Sequence, residues 1–145
     1  MLHMTWSHTE FQLGGIVSGL DRWLPRSMTI LGAVHLVYGV VESPGVIRDM
    51  LADGLVSTAD NAERGYVVWF MVSGVALLAV AWMARWAART VGRMPAALGW
   101  WLVVIGALIV ITEPVSGGWL VMLLGALTVV AARRAIRAVP QPANV

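Results

Sequence analysis

The sequence predicts an all-α fold: a four-helix transmembrane bundle of two helical hairpins, with both termini on the cytoplasmic side. Three observations carry that expectation. Of the 145 residues, 59% are hydrophobic and 12% are charged, where soluble domains carry about 25% charged residues. A chain this short cannot hide so much apolar surface in water, because small domains leave a large share of their surface exposed. The apolar residues gather into four segments near the ~20-residue length that crosses the hydrocarbon core as a helix. All ten basic residues are arginine, and most border those segments, which is how membrane flanks look. The formal charge of +2 therefore implies no nucleic-acid partner.

The elements follow in order. Residues 1–22 form an N-terminal tail, either partly ordered or lying along the membrane surface through Trp6, Phe11, Leu13, Ile16 and Leu20. It lacks the basic stretch and apolar core of a cleavable signal peptide. The transmembrane domain covers 23–137, and 138–145 is a polar tail. Its spans are expected at 26–42, 65–84, 95–112 and 115–132. In lipid every backbone polar group must be satisfied within its own segment, so these are helices. Asp60 and Glu63 have capping-box spacing before the second span. Pro95 suits the first turn of the third, where its missing N–H costs nothing. Between Met94 and Ala132 the single charged side chain is Glu113, within the stretch ITEPVSGGW. Pro114 removes a donor and Gly117–Gly118 permit a tight reversal, so that stretch is the turn of a hairpin. The connection between spans one and two carries a short amphipathic piece, Val46 to Leu51, ended by Gly54.

Orientation follows from arginine. Arg22, Arg26, Arg85, Arg89, Arg93, Arg133, Arg134 and Arg137 share one side of a four-span arrangement, and Arg48 and Arg64 lie on the other. The positive-inside rule makes the first side cytoplasmic, in the cell's inner (plasma) membrane.

Ionisable groups inside a bilayer are expensive and often mark function. Leu31, His35, Tyr38 and Glu42 follow helical spacing and share one face. Glu42 stands about 10 Å above His35 along the axis. That stripe is either a relay or pocket wall, or, for His35, a hydrogen bond that holds helices together. Glu113 is either a partly desolvated acid or base or a solvated turn residue. Arg48 and Asp49 are either a surface pair of little worth or, if the segment folds back, a place where Arg48 neutralises Glu42 or Glu113 or binds an anionic head group. Tyr66, Trp69, Phe70 and Trp119, with Ser116 in the turn, belong either to an interfacial aromatic belt or to the wall of a lipophilic pocket.

Those residues admit three function classes. The first is a cofactor-independent acid–base enzyme (isomerase, cyclase or epoxide-opening) acting on a lipophilic substrate. Its catalytic residues would be Glu113, His35, Tyr38 and Glu42, and its substrate-binding residues Trp69, Phe70, Trp119, Ser116, Arg48 and Asp49. The second is a non-catalytic lipid-binding or accessory subunit of a membrane complex, and the third a small oligomeric transporter. The expected partners are membrane lipid, a lipophilic small molecule, and a second copy or a membrane-complex subunit. No metal or cofactor is expected. The chain has no Cys, and it carries no HExxH, P-loop, dinucleotide fingerprint or GxSxG. A bis-His haem would need a second intramembrane histidine, and His3 and His8 lie in the tail.

Trp23-Leu24 with Arg26, Gly32 with His35, Glu63-Arg64 followed by Trp69-Phe70, Leu98-Gly99-Trp100, and Pro114-x-Ser116-Gly117-x-Trp119 are scattered across roughly residues 23–137. Through them the chain resembles an uncharacterised family of small four-span membrane proteins common in actinobacteria. The last motif is the most specific. The resemblance implies four spans and supplies no activity. A looser likeness of size and topology links the chain to the four-helix membrane isomerase and sterol-binding group, an analogy of architecture alone.

Overall fold

A computed structural model describes residues 8–54, 56 and 58–137. The described elements are α1 (His8–Glu42), α2 (Pro44–Asp53), α3 (Ala62–Thr90), α4 (Ala96–Thr112) and α5 (Gly118–Arg137), with no strand among the described residues. The all-helical expectation holds. Three stretches are long and apolar enough to cross a membrane: Arg22–Glu42, Ala62–Thr90 and Gly118–Arg137. The fourth apolar helix, α4, has 17 residues. At 1.5 Å per residue it spans about 26 Å, somewhat less than the hydrocarbon core.

The first helix is longer than the span read from the sequence. It starts at His8 and passes through Pro25, so helical backbone extends into the segment read as a tail. Trp6 lies outside the described residues. Contacts divide the chain into two compact units, one of Arg26–Met83 and one of Met1–Pro25 with Ala84–Val145.

In the Arg26–Met83 unit, α1 and α3 run past each other, and α2 belongs to the connection between them. Ser43 alone separates α1 from α2, and Pro44 opens α2, as its fixed φ favours. Gly54, at φ +93°, ends α2 with a backbone that side-chain-bearing residues avoid. The amphipathic piece expected at Val46–Leu51 is thus the middle of a slightly longer helix. The cap of α3 differs from the sequence reading by one residue. Asn61 Oδ1 accepts the Arg64 N–H at 2.9 Å, so Asn61 is the cap, and Asp60 instead faces the Arg64 guanidinium at 3.6 Å. Asp53 takes the same guanidinium at 2.6 Å, which ties the end of α2 to the start of α3.

The other unit contains the hairpin α4–α5. Pro95 is the residue just before α4, extended at ψ 129°, rather than the first helical residue. Glycines set the pairing. Gly99 and Gly106 are seven residues apart on α4, and Gly118 and Gly125 are seven apart on α5, so each pair lies on one face. A Cβ on Gly99 would meet Gly125 O at 2.8 Å, and one on Gly106 would meet Gly118 O at 2.8 Å. Backbone touches backbone at both levels, the close approach that small residues permit in membrane helix pairs. Gly118 is therefore used as the opening residue of α5 against Ile109 and Gly106, and neither it nor Gly117 needs left-handed backbone. At the other end of the hairpin the Arg133 guanidinium lies 5.8 Å from the Trp100 ring centroid. Arg134 and Arg137 also occupy the last turn of α5, where the helix dipole favours cations.

Hydroxyls inside the helices are satisfied locally, as lipid requires. Thr90, Thr112 and Thr128 each donate to the carbonyl four residues back, at 2.8, 3.0 and 2.7 Å. Large apolar side chains are exposed along every long helix, among them Val34 and Val37 on α1, Trp69 and Val72 on α3, Ile105 on α4 and Leu123 on α5. Faces of that kind suit lipid and not water.

Candidate functional site

The polar stripe expected on α1 meets a matching stripe on α3. On α1, His35, Tyr38 and Glu42 are three and four residues apart; on α3, Tyr66, Phe70 and Ser73 are four and three apart. Both spacings keep side chains on one helix face. The helices run antiparallel here, so His35 lies beside Phe70 and Ser73, and Tyr38 and Tyr66 both lie beside Phe70.

Phe70 is the centre of this arrangement. The His35 ring stacks on it with centroids 3.9 Å apart and planes 10° apart. Tyr38 and Tyr66 approach it tilted, at 6.1 and 5.8 Å, the geometry that aromatic quadrupoles favour. His35 Nε2 is 3.1 Å from Phe70 O and 3.0 Å from Ser73 Oγ. Ser73 Oγ donates to Phe70 O at 2.7 Å. With the serine proton so used, the consistent assignment has Nε2–H as donor to both oxygens. The imidazole is thereby held to α3 by two polar contacts and one ring face.

Glycine makes this closeness possible on α1 as on α4. A Cβ on Gly32 would meet Leu78 at 2.9 Å, and one on Gly39, seven residues on, would strike Met71 and the Phe70 ring. On α3, a Cβ on Gly74 would meet Leu36 at 2.5 Å and His35 Cδ2 at 3.0 Å.

Above this contact the helices part into a small, shallow, open groove lined by Tyr38, Gly39, Glu42, Ser43, Tyr66, Val67, Phe70 and Met71. Pockets that enclose drug-sized ligands hold about 300–1,000 Å³; this groove encloses no such cavity, and a guest would lie against its open aromatic walls. Val67 is buried at its floor, while Tyr38 and Tyr66 are more than half exposed on its walls. The Glu42 side chain, on the last residue of α1, has no ion pair or hydrogen bond among the described residues.

Of the residues singled out in the sequence, His35, Tyr38, Glu42 and Phe70 come together here. Trp69 is on α3, strongly exposed and outside the groove lining. Arg48 and Asp49 are exposed on α2 and are also outside the lining. Glu113, Ser116 and Trp119 belong to the other unit, in the α4–α5 turn. There Glu113 is the exposed C-cap of α4, its N–H bonded to Ile109 O at 2.7 Å. Ser116 Oγ accepts the Gly118 N–H at 3.3 Å, and Trp119 Nε1 donates to Pro114 O at 3.0 Å. Both bonds are local to the turn. Among the described residues no three His, Asp or Glu side chains gather as metal ligands would.

The sequence reading missed Ser73, Gly39 and Met71. Ser73 was findable, since it is one turn beyond Phe70 on the face that His35 must meet. Gly39 was findable from its spacing to Gly32. Nothing in the sequence alone marks Met71.

A model described as a family of unknown function (DUF6463) matches residues 19–135. No curated protein and no solved structure matches the chain significantly.

Proposed function

The chain belongs to the DUF6463 family, a family of unknown function, and we propose that it is a four-span inner-membrane protein that binds a lipophilic small molecule in the α1–α3 groove. Both termini lie in the cytoplasm on this reading, which puts the groove near the outer face. The arginine distribution supports that orientation. Arg85, Arg89 and Arg93 border the α3–α4 connection, and Arg133, Arg134 and Arg137 close α5.

One observation carries the binding role: an open groove walled by two exposed phenols and a phenylalanine, with a carboxylate at its rim. Binding fits this geometry better than proton transfer does. The His35 Nε2 is engaged by Phe70 O and Ser73 Oγ, so that nitrogen serves packing. Glu113 caps a helix in the other unit and is no part of the groove lining.

The test is native mass spectrometry of the protein released from mild detergent. Wild type is compared with Tyr38→Ala and Tyr66→Ala, both exposed positions whose loss spares the core. A lipophilic guest retained by wild type and lost from both variants is the expected result. Absence of any guest, or one indifferent to both substitutions, would refute the reading. Orientation is tested separately. The chain has no Cys, so single cysteines at Val56, Val115 and Arg93 report sidedness to an impermeant maleimide. The first two should label from outside the cell and the third only after permeabilisation.

A further inference from the structure

We infer that the guest of this groove is a free amphiphilic cation: a quaternary or tertiary ammonium group carried on a small apolar body. The inference rests on the binding role proposed above and specifies its ligand class.

Three features converge on positive charge. Glu42 ends α1 and lines the groove with its carboxylate free of any ion pair among the described residues. No residue of the protein supplies the cation among the described residues. Arg64 is taken by Asp53 and Asp60, and Arg48 forms no ion pair with Glu42. Next, the walls are aromatic. Tyr38, Tyr66 and Phe70 meet at tilts of 39° and 45°, so the rings form a corner rather than a flat stack. Ring faces attract ammonium groups, and aromatic corners with a nearby carboxylate suit methylated ammonium in particular. Last, the surrounding segment is acidic. Residues 42–65 hold Glu42, Asp49, Asp53, Asp60 and Glu63 against Arg48 and Arg64, a net charge of −3. A field of that sign raises the local concentration of cations.

Charge separates the free cation from a zwitterionic lipid head. A choline lipid would bring its phosphate into the same acidic surroundings, which repel it. A free monocation meets no such opposition.

The experiment uses the full-length chain in maltoside micelles, with protein-free micelles subtracted and binding followed by ligand-detected NMR. The probe is benzyltrimethylammonium, and its uncharged carbon isostere is neopentylbenzene. The cation is expected to bind at least about tenfold more tightly than the isostere. Glu42→Gln should weaken the cation by about five- to tenfold and leave the isostere unchanged. Tyr66→Leu, at an exposed position, should also weaken the cation, and unchanged far-UV circular dichroism checks that both variants fold. Equal binding of the two probes, indifferent to Glu42→Gln, would overturn the inference. If native mass spectrometry still found a guest lost from Tyr38→Ala, the binding role would stand with a neutral ligand. If it found none, both readings would fall together. Displacement of the probe by short-chain phosphatidylcholine at comparable affinity would overturn the free-cation assignment in favour of a lipid head group.

Discussion

Gly106→Ala tests the hairpin most directly. A Cβ at this position lies 2.5 Å from Met122 N and 2.8 Å from both Gly118 O and Met122 Cα. All three neighbours are main chain, so no rotamer change relieves the clash. Ordinary contact begins at 3.4 Å, so α4 and α5 must separate locally by roughly 1 Å in a closely packed interface. Overpacking of this kind costs about 1–3 kcal/mol. Replacing a helical glycine by alanine returns about 0.5–1 kcal/mol through backbone entropy. The net expectation is a loss centred on about 1 kcal/mol and no larger than about 2.5 kcal/mol. Gly45→Ala is the control, because its Cβ meets nothing within 4 Å, and it should change stability by no more than about 0.5 kcal/mol. Both variants are unfolded reversibly by titrating a denaturing detergent into mild micelles, with helicity and Trp fluorescence as probes. If Gly106→Ala matched or exceeded wild-type stability while Gly45→Ala behaved as expected, backbone-to-backbone packing of α4 on α5 would be wrong.

Three further outcomes follow from the same structure. A double-mutant cycle of His35→Ala and Ser73→Ala should show a coupling of about 0.6 kcal/mol, and at most about 1.7; strictly additive effects would remove the imidazole from Ser73. Asn61→Ala should cost about 0.5–2 kcal/mol and speed amide exchange over Ala62–Tyr66, whereas Asp60→Ala leaves that exchange nearly unchanged; the reverse pattern would return the cap to Asp60. Trp119→Phe keeps the ring and loses the Nε1–H bond to Pro114 O, so the turn should loosen by about 0.5–1.5 kcal/mol, read from exchange of the Gly118 and Leu120 amides; unchanged exchange would mean the bond contributes nothing.

Much of the architecture was legible because membrane solvent leaves few alternatives. Long apolar segments had to be helices, and the charged and proline-bearing stretch around Glu113 had to be a break. The stripe His35–Tyr38–Glu42 was legible too, because helical spacing places its members on one face whatever the partner. Two matters were not. Asp60 and Glu63 matched a capping pattern, yet the helix took Asn61, since adjacent residues compete for one cap and Asp60 finds Arg64 instead. Gly117–Gly118 suggested a tight reversal, yet Gly118 matters for what its missing side chain lets α4 do. The information that decides neighbours in each unit was present as glycines at intervals of seven: Gly32 and Gly39, Gly99 and Gly106, Gly118 and Gly125.

The glycine-paired hairpin also bears on how the protein is made. Its contacts join residues close in sequence, such as Gly106 with Gly118 and Gly99 with Gly125, and local contacts form quickly. Once α5 has been synthesised, the hairpin has all the surface it needs to close. A 17-residue α4 is a marginal passenger for a membrane-insertion channel by itself. Paired with α5 it can leave that channel together with its partner, so synthesis of α5 supplies the surface that α4 lacks alone.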